Sequence, residues 1–218
     1  MGVLLMAMTV GGAIAGIVVL AFAVVFRKIW LRNFVIGATS VWAIFYMAML
    51  VGFSLTSTGR ELSISQPKQF CGFYLDCHMH TTVSGVRRAK TIGNKTAAGE
   101  FFIVKVKVFS NAKAATLALH TVDAHVVDAS ARTYSRDSRA EAELEPQPDF
   151  ERPISPIESF EKEIVFDLPA IAENPRLDIS EGIFPERIVE AFLIGDEDSV
   201  LHKRTVFKLD EPAQTAGL

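Results

Sequence analysis

Two cysteines and five histidines carry most of the chemistry open to this 218-residue chain. Cys71, Cys77, His78 and His80 fall within ten consecutive residues, with Asp76 among them. A His-x-His pair on a strand puts both imidazoles on one face, because alternate side chains point the same way, and such a pair suits zinc or copper. Asp76 and His80 would stand about 13 Å apart along an ideal strand. A third ligand would therefore have to come from His120, His125 or His202. The short Cys, His and Met loop spacing of copper proteins is absent, so a polar sheet face, or one that packs on a partner, is the alternative role for His78 and His80. On a straight strand Cys71 and Cys77 would lie roughly 20 Å apart, whereas a disulfide needs Cα atoms within about 7 Å. Gly72 offers a bend that would fold Cys71 back. A disulfide, two free thiols and metal ligation all stay open for this pair.

Other candidates carry less. Asp196-Glu197-Asp198 lacks the spacing of an EF-hand and reads as a solvated acidic turn. Asn94-Lys95-Thr96 is a glycosylation sequon, relevant only to a eukaryotic secretory pathway. No Gly-x-Ser-x-Gly, Walker loop or His-Glu-x-x-His occurs. The expectation is a protein that is not an enzyme, with no catalytic residues and no cofactor.

The elements that must position these groups differ sharply along the chain. Residues 1–60 contain Arg27, Lys28, Arg32 and Arg60 and no acidic residue, a charge of +4. The remainder holds 18 basic and all 25 acidic residues, a charge of −7, and the two give the net −3. An acidic body of this kind argues against nucleic-acid binding, which needs a basic face. Val3 to Phe26 and Phe34 to Leu55 are free of charge, and about 20 apolar residues span a hydrocarbon core as helix. Residues 1–56 thus read as two transmembrane helices, about 3–26 and 34–56, joined by a short loop at 27–33. The basic residues of that loop and Trp30 place it at the cytoplasmic face. Both termini and everything after about residue 57 then lie outside the cytoplasm. A signal peptide would need a positive start, and there is no Lys or Arg before Arg27. Gly12 and Gly16 form a small-xxx-small face for helix packing, against a partner helix or only against the second helix of the hairpin.

After a linker at 57–64 the pattern turns to alternation of period two. Phe73 to Val83 reads as a strand, Thr91 to Gly99 as a loop, and Glu100 to Phe109 as a long strand with Phe102, Val104, Val106 and Val108 inward. Further strands are expected at Thr116–His120, Ala124–Asp128, Arg132–Tyr134, Lys162–Leu168, Arg176–Ile179, Glu190–Ile194 and Thr205–Leu209, with a helical turn or two at Ser138–Leu144. Pro146, Pro148, Pro153 and Pro156 exclude long regular structure between them. They mark residues 145–156 as an extended, unpaired element able to contact a partner. Many short strands with polar turns imply an antiparallel sandwich.

The run Gly99-Glu100-Phe101-Phe102-Ile103-Val104-Lys105-Val106-Lys107-Val108, then Asn111, then Val127-Asp128 with Arg132-Thr133-Tyr134, and later Val165-Phe166-Asp167-Leu168-Pro169, resembles the telokin-like, immunoglobulin-like domain of bacterial lipoproteins and membrane-anchored surface proteins. The Cys71 and Cys77 pair is similar to that of some members. Ala131 departs from the pattern, standing where the family usually has a turn glycine. The resemblance implies an all-β, immunoglobulin-like sandwich over residues 62–210, outside the cytoplasm, and it implies no catalytic residues.

The expected whole is a bacterial inner-membrane protein with two helices, a periplasmic sandwich and a tail at 211–218. Its partners would be the lipid bilayer and other membrane-protein subunits, as for an accessory subunit of a respiratory or photosynthetic complex. A metal-handling envelope protein using His78 and His80 is the alternative, and a factor that binds unfolded clients at a sandwich edge is a third class.

Overall fold

A computed structural model describes residues 2–71, 77–182 and 186–210. The chain forms two compact units, one of Met1–Gly59 with Pro185–Arg204 and one of Arg60–Phe184 with Thr205–Leu218.

The first unit is built on helix α1 (Gly2–Val25) and helix α2 (Ile29–Thr56). The connection is shorter than the expected loop at 27–33. Arg32 N donates to Lys28 O, so Ile29 to Asn33 already belong to α2, and the reversal is confined to the residues around Arg27, whose φ is 51°. Ile29, Trp30 and Leu31 extend the apolar face of the helix, and Arg32 is tolerated because its long stem can carry the charge outward.

The second unit is a sandwich of two sheets. One has the order β1 (Glu61–Leu62), β9 (Val206–Lys208), β8 (Arg176–Ser180), β5 (Asp123–Val127), β6 (Thr133–Ser135). The other runs β2 (Lys68–Phe70), β3 (Met79–Ile92), β4 (Lys95–Ser110), β7 (Ser159–Leu168). The pairings are antiparallel except that β1 lies parallel to β9. Val83, Phe102, Val104, Val106, Val108, Ile164 and Phe166 of one sheet close on Val126, Leu177, Ile179 and Phe207 of the other. This is the inward face expected of β4.

Four expectations change. Of the first expected strand, residues 72–76 lie outside the described residues, and β3 runs from Met79 to Ile92. The expected loop at 91–99 is instead ladder: Thr91 pairs with Thr96 and Ile92 with Lys95, leaving Gly93-Asn94 as a two-residue turn. Gly93 has φ 52°, the conformation that a tight hairpin asks of its first loop residue. Thr116–His120 makes only an isolated bridge, Leu117 to Ile154. Glu190–Ile194 is not a strand. Its apolar residues Ile188, Val189, Phe192 and Leu193 recur at helical spacing, and Glu186–Ala191 forms helix α4, which belongs to the first unit. The sandwich therefore does not run unbroken over 62–210.

The outer face of the second sheet carries a small core of its own. Phe101, Ile103 and Val165 pack with Ile92 and Ala140. Ala140 comes from helix α3 (Ser138–Glu141), started by Asp137, whose side chain accepts from Arg139 N and Ala140 N. Glu141 is held by Arg136 at 2.9 and 2.6 Å and accepts Val165 N, while Asp137 N donates to Val165 O. Gln147 accepts Glu163 N and donates to Glu163 O. Together these groups block part of the open edge of β7, where unpaired backbone would invite another strand.

Candidate interaction surfaces

In the first unit, Gly16 is the small residue that meets the neighbouring helix. A Cβ there would sit 3.5 Å from Thr39 Oγ1 and 3.9 Å from Val35 Cγ1. Gly12 has nothing within 4 Å of its Cβ position and is not part of that packing. The helices are further joined by Trp42 Nε1 donating to Thr9 Oγ1 at 3.1 Å. Most other large side chains of α1 and α2 point outward, among them Leu4, Ile17, Phe22, Val41, Ile44 and Leu55. Asn33, Phe34, Gly37, Ala38, Val41, Trp42 and Phe45 line an open apolar groove of about 680 Å³ on α2, with Gly37 and Ala38 as its small residues.

Residues 186–204 pack on a stripe of α2 made by Tyr46, Leu50 and Ser54, the residues of that helix buried in this unit. Tyr46 OH donates to Phe192 O at 2.6 Å. Ser54 Oγ and Ser199 Oγ lie 3.3 Å apart, both buried. Lys203 N donates to Ser57 Oγ, which itself donates to Ser54 O.

In the sandwich, Cys71 and Cys77 form a disulfide with Cα atoms 4.0 Å apart. Straight-strand geometry does not apply between them, because β2 ends at Phe70 and β3 begins at Met79. His78 Nδ1 lies 2.6 Å from Asn111 Oδ1, and His80 stacks on Phe109 with its Nδ1 3.1 Å from His78 O. Among the described residues no three His, Cys, Asp or Glu side chains gather around a common point. His120 and His202 do not join the pair, and Asp76 lies outside the described residues. His125 stands instead 3.6 Å from both Asp123 and Asp178. Asp178 shares its buried position with Lys68, which donates to Ile179 O and Thr205 O and so ties the end of one sheet to the other.

The proline-rich segment is not the free arm expected of it. Phe150 and Ile154 are buried in the main core. Pro148 O accepts Lys162 Nζ, and Ile154 exchanges both backbone hydrogen bonds with Leu117. The prolines stop a strand from forming, but the apolar residues between them bind the segment to the sandwich. Pro146 and Pro153 remain exposed.

Asp128 organises the hairpin between β5 and β6. Its carboxylate accepts from Ser130 N at 2.8 Å, Arg132 N at 2.9 Å, Arg132 Nε at 2.8 Å and Tyr134 OH at 3.0 Å. Burial alone would push the carboxyl up, but these donors outweigh it and hold the group below its ordinary value. Ala131 is forced to φ 59° at this turn. Nearby, Glu61, Arg176, Lys208 and Asp210 border a polar cleft of about 420 Å³. Hydrogen bonds from Arg176 and then Lys208 hold the Glu61 carboxyl low, so the cleft is occupied with its own ion pairs.

Sequence reasoning missed Tyr46 and the 186–204 segment. Tyr46, Leu50 and Ser54 at i, i+4 and i+8 were a legible signal, since a hydroxyl-bearing stripe on an apolar helix asks for a partner. Lys68 carried no signal in its neighbours.

A two-sheet sandwich followed by a return to an apolar helical pair defines an all-β domain attached to candidate membrane spans. The profile of a family described as a domain of unknown function, DUF4352, matches residues 76–189, just over half of the chain, and the chain belongs to that family. No curated protein matches it. Among solved structures it is similar to the secreted protein MPT63 of Mycobacterium tuberculosis, at 12% identity and TM-score 0.42 over 70% of this chain and 99% of that one. A conserved hypothetical protein from Bacillus anthracis gives 12% and 0.41, over 54% and 92%. An uncharacterized beta-sandwich protein from Clostridium difficile gives 13% and 0.37, over 71% and 96%. At these identities and scores the likenesses carry no functional information.

Proposed function

We propose that this chain is a non-enzymatic, membrane-anchored interaction protein whose immunoglobulin-like sandwich stands on the extracytoplasmic side and docks on a larger membrane assembly. One observation carries the reading: two apolar helices of 24 and 28 residues, whose one charged residue, Arg32, stands at the start of the second, turn apolar side chains outward around the pair. Such a surface is stable in lipid and against other apolar helices, and costly in water. Arg27 and Lys28 at the reversal, with Arg32 in the first turn of α2, favour a cytoplasmic loop. The Cys71–Cys77 disulfide supports an oxidising compartment for the sandwich.

The partner is a membrane-protein subunit, as in an accessory role in a respiratory or photosynthetic complex. The open groove of Phe34, Gly37, Ala38, Val41 and Phe45 has small residues at Gly37 and Ala38 that let a second helix approach closely. On the sandwich, exposed Pro146 and Pro153 are available to the same partner. Purification in mild detergent should recover co-eluting membrane subunits, and Gly37→Leu with Ala38→Leu should remove them while the chain stays in the membrane. Co-elution unchanged by the filled groove would overturn the docking surface. A reporter fused at Leu218 that is active only inside the cell would overturn the topology.

A further inference from the structure

We infer that residues 186–201 form a second membrane-contacting element, a collar that lies in the outer interfacial layer of the bilayer against α2. This inference rests on the anchoring read above and adds to it where the lipid contact ends.

The depth follows from two hydrogen bonds. A hydrocarbon core of about 30 Å takes about 20 helical residues. Counted from Asn33, just past the last basic residue of α2, this stretch reaches to about Leu50–Phe53. Ser54, which meets Ser199, is then at the outer boundary. Tyr46, which meets Phe192, is eight residues deeper, about 12 Å along the helix. The collar therefore runs from the boundary to about 12 Å, through the roughly 5–10 Å at which interfacial helices lie and slightly below it.

The collar is also built for that layer. Ile188, Phe192, Val200 and Leu201 are 48%, 44%, 44% and 62% exposed, an apolar surface continuous with that of the helix it packs on. Backbone without water must find its partners within the protein. Here Phe192 N, Leu193 N, Asp196 N, Ser199 N and Val200 N donate to collar carbonyls, and Tyr46 serves the Phe192 carbonyl. Its charged residues are Glu186 and Arg187 at the start and the turn Asp196-Glu197-Asp198, where Asp198 is met by Arg204 at 3.2 Å, while Glu190 turns a carboxylate oxygen inward. The partner is lipid, because exposed apolar residues stand on both sides of a charged turn, the mixture an interfacial layer takes, and the element is fixed to a helix near the boundary of its apolar span.

The test uses the full chain in phosphatidylcholine and phosphatidylglycerol vesicles. Phe192→Trp is placed in a background of Trp30→Phe and Trp42→Phe, and quenching by lipids brominated near the glycerol end of the acyl chain is compared with quenching by aqueous iodide. The expected result is several-fold stronger quenching by the brominated lipid. Leu201→Trp, at the most exposed of the four positions, gives the same readout if Phe192→Trp disturbs the packing. Quenching of both by iodide alone, as for a Trp placed at exposed Ile171 of the sandwich, would overturn the collar. Trp42 in a Trp30→Phe chain reports on the hairpin separately. If Trp42 is quenched by deeply brominated lipid and the collar positions are not, the collar alone falls; if Trp42 is not quenched, the anchoring falls and takes the collar with it.

Discussion

Tyr46 and Phe192 stand 146 residues apart in the chain, yet the hydroxyl of one donates to the main-chain carbonyl of the other at 2.6 Å. Between them the chain builds most of a sandwich and then returns to the helix from which it departed. The Tyr46 hydroxyl is the polar group on an otherwise apolar stretch of α2 that holds the returning segment at Phe192. Tyr46→Phe keeps the ring and leaves the Phe192 carbonyl without this donor. The expected cost is about 1–3 kcal/mol, confined to the first unit. It should appear as faster amide exchange over residues 189–200 with exchange in β4 unchanged; equal exchange in both would show that the bond is not needed.

Asp128 should make the stability of the sandwich depend on acid. Its folded value lies below the ordinary carboxylate value. The stabilisation is therefore present above the unfolded value, about 3.9, and is lost as pH falls through the lower folded value. Asp128→Asn keeps an acceptor but loses the charge that Arg132 meets. At pH 7 the variant should melt several degrees lower, and its deficit should shrink below about pH 4. A deficit constant from pH 7 to pH 2 would count against an ionic contribution.

Ala131 pays a steric penalty at φ 59° that glycine would not. Ala131→Gly should stabilise the sandwich by about 0.5–1 kcal/mol, after allowance for the greater freedom of glycine in the unfolded chain. Thermal unfolding should show a rise of a few degrees. A fall would mean that the Asp128 hydrogen bonds have already absorbed the strain.

Residues 145–156 separate two roles that the prolines alone could not. Ile154→Ala empties a buried site and should cost about 2–5 kcal/mol. Pro146→Ala, at the surface, should change stability by about 0.5 kcal/mol or less. Chemical denaturation of the two variants side by side reads this directly. Equal costs would return the segment to the role of a loose arm.

Breaking the disulfide should cost about 2 kcal/mol, since a loop of so few residues loses little freedom on closure. Thermal melts with and without reductant, with Cys71→Ser/Cys77→Ser as the control, measure it. A sandwich that does not unfold earlier when reduced would show that the bond adds no stability to the fold.

Runs and alternations were legible in the sequence because they depend on local chemistry. Two stretches without a charge have no stable fate as exposed coil, and Phe102, Val104, Val106 and Val108 at every second position can bury only one face of a strand. The Asp128, Arg132 and Tyr134 spacing also lies within one hairpin, so its motif was visible before its four hydrogen bonds were. What the tertiary structure decided was pairing across long separations. The same apolar run at 188–194 suits a strand or a helix by pattern, and it became a short helix ending at Ala191 followed by turns, packed where Tyr46, Leu50 and Ser54 offer a stripe. Phe150 and Ile154 lie between prolines in a segment of no regular period, and only the space beneath β7 and beside Leu117 made them core. Local sequence limits which backbone shapes are cheap, whereas burial and hydrogen-bond satisfaction are properties of what arrives from elsewhere in the chain.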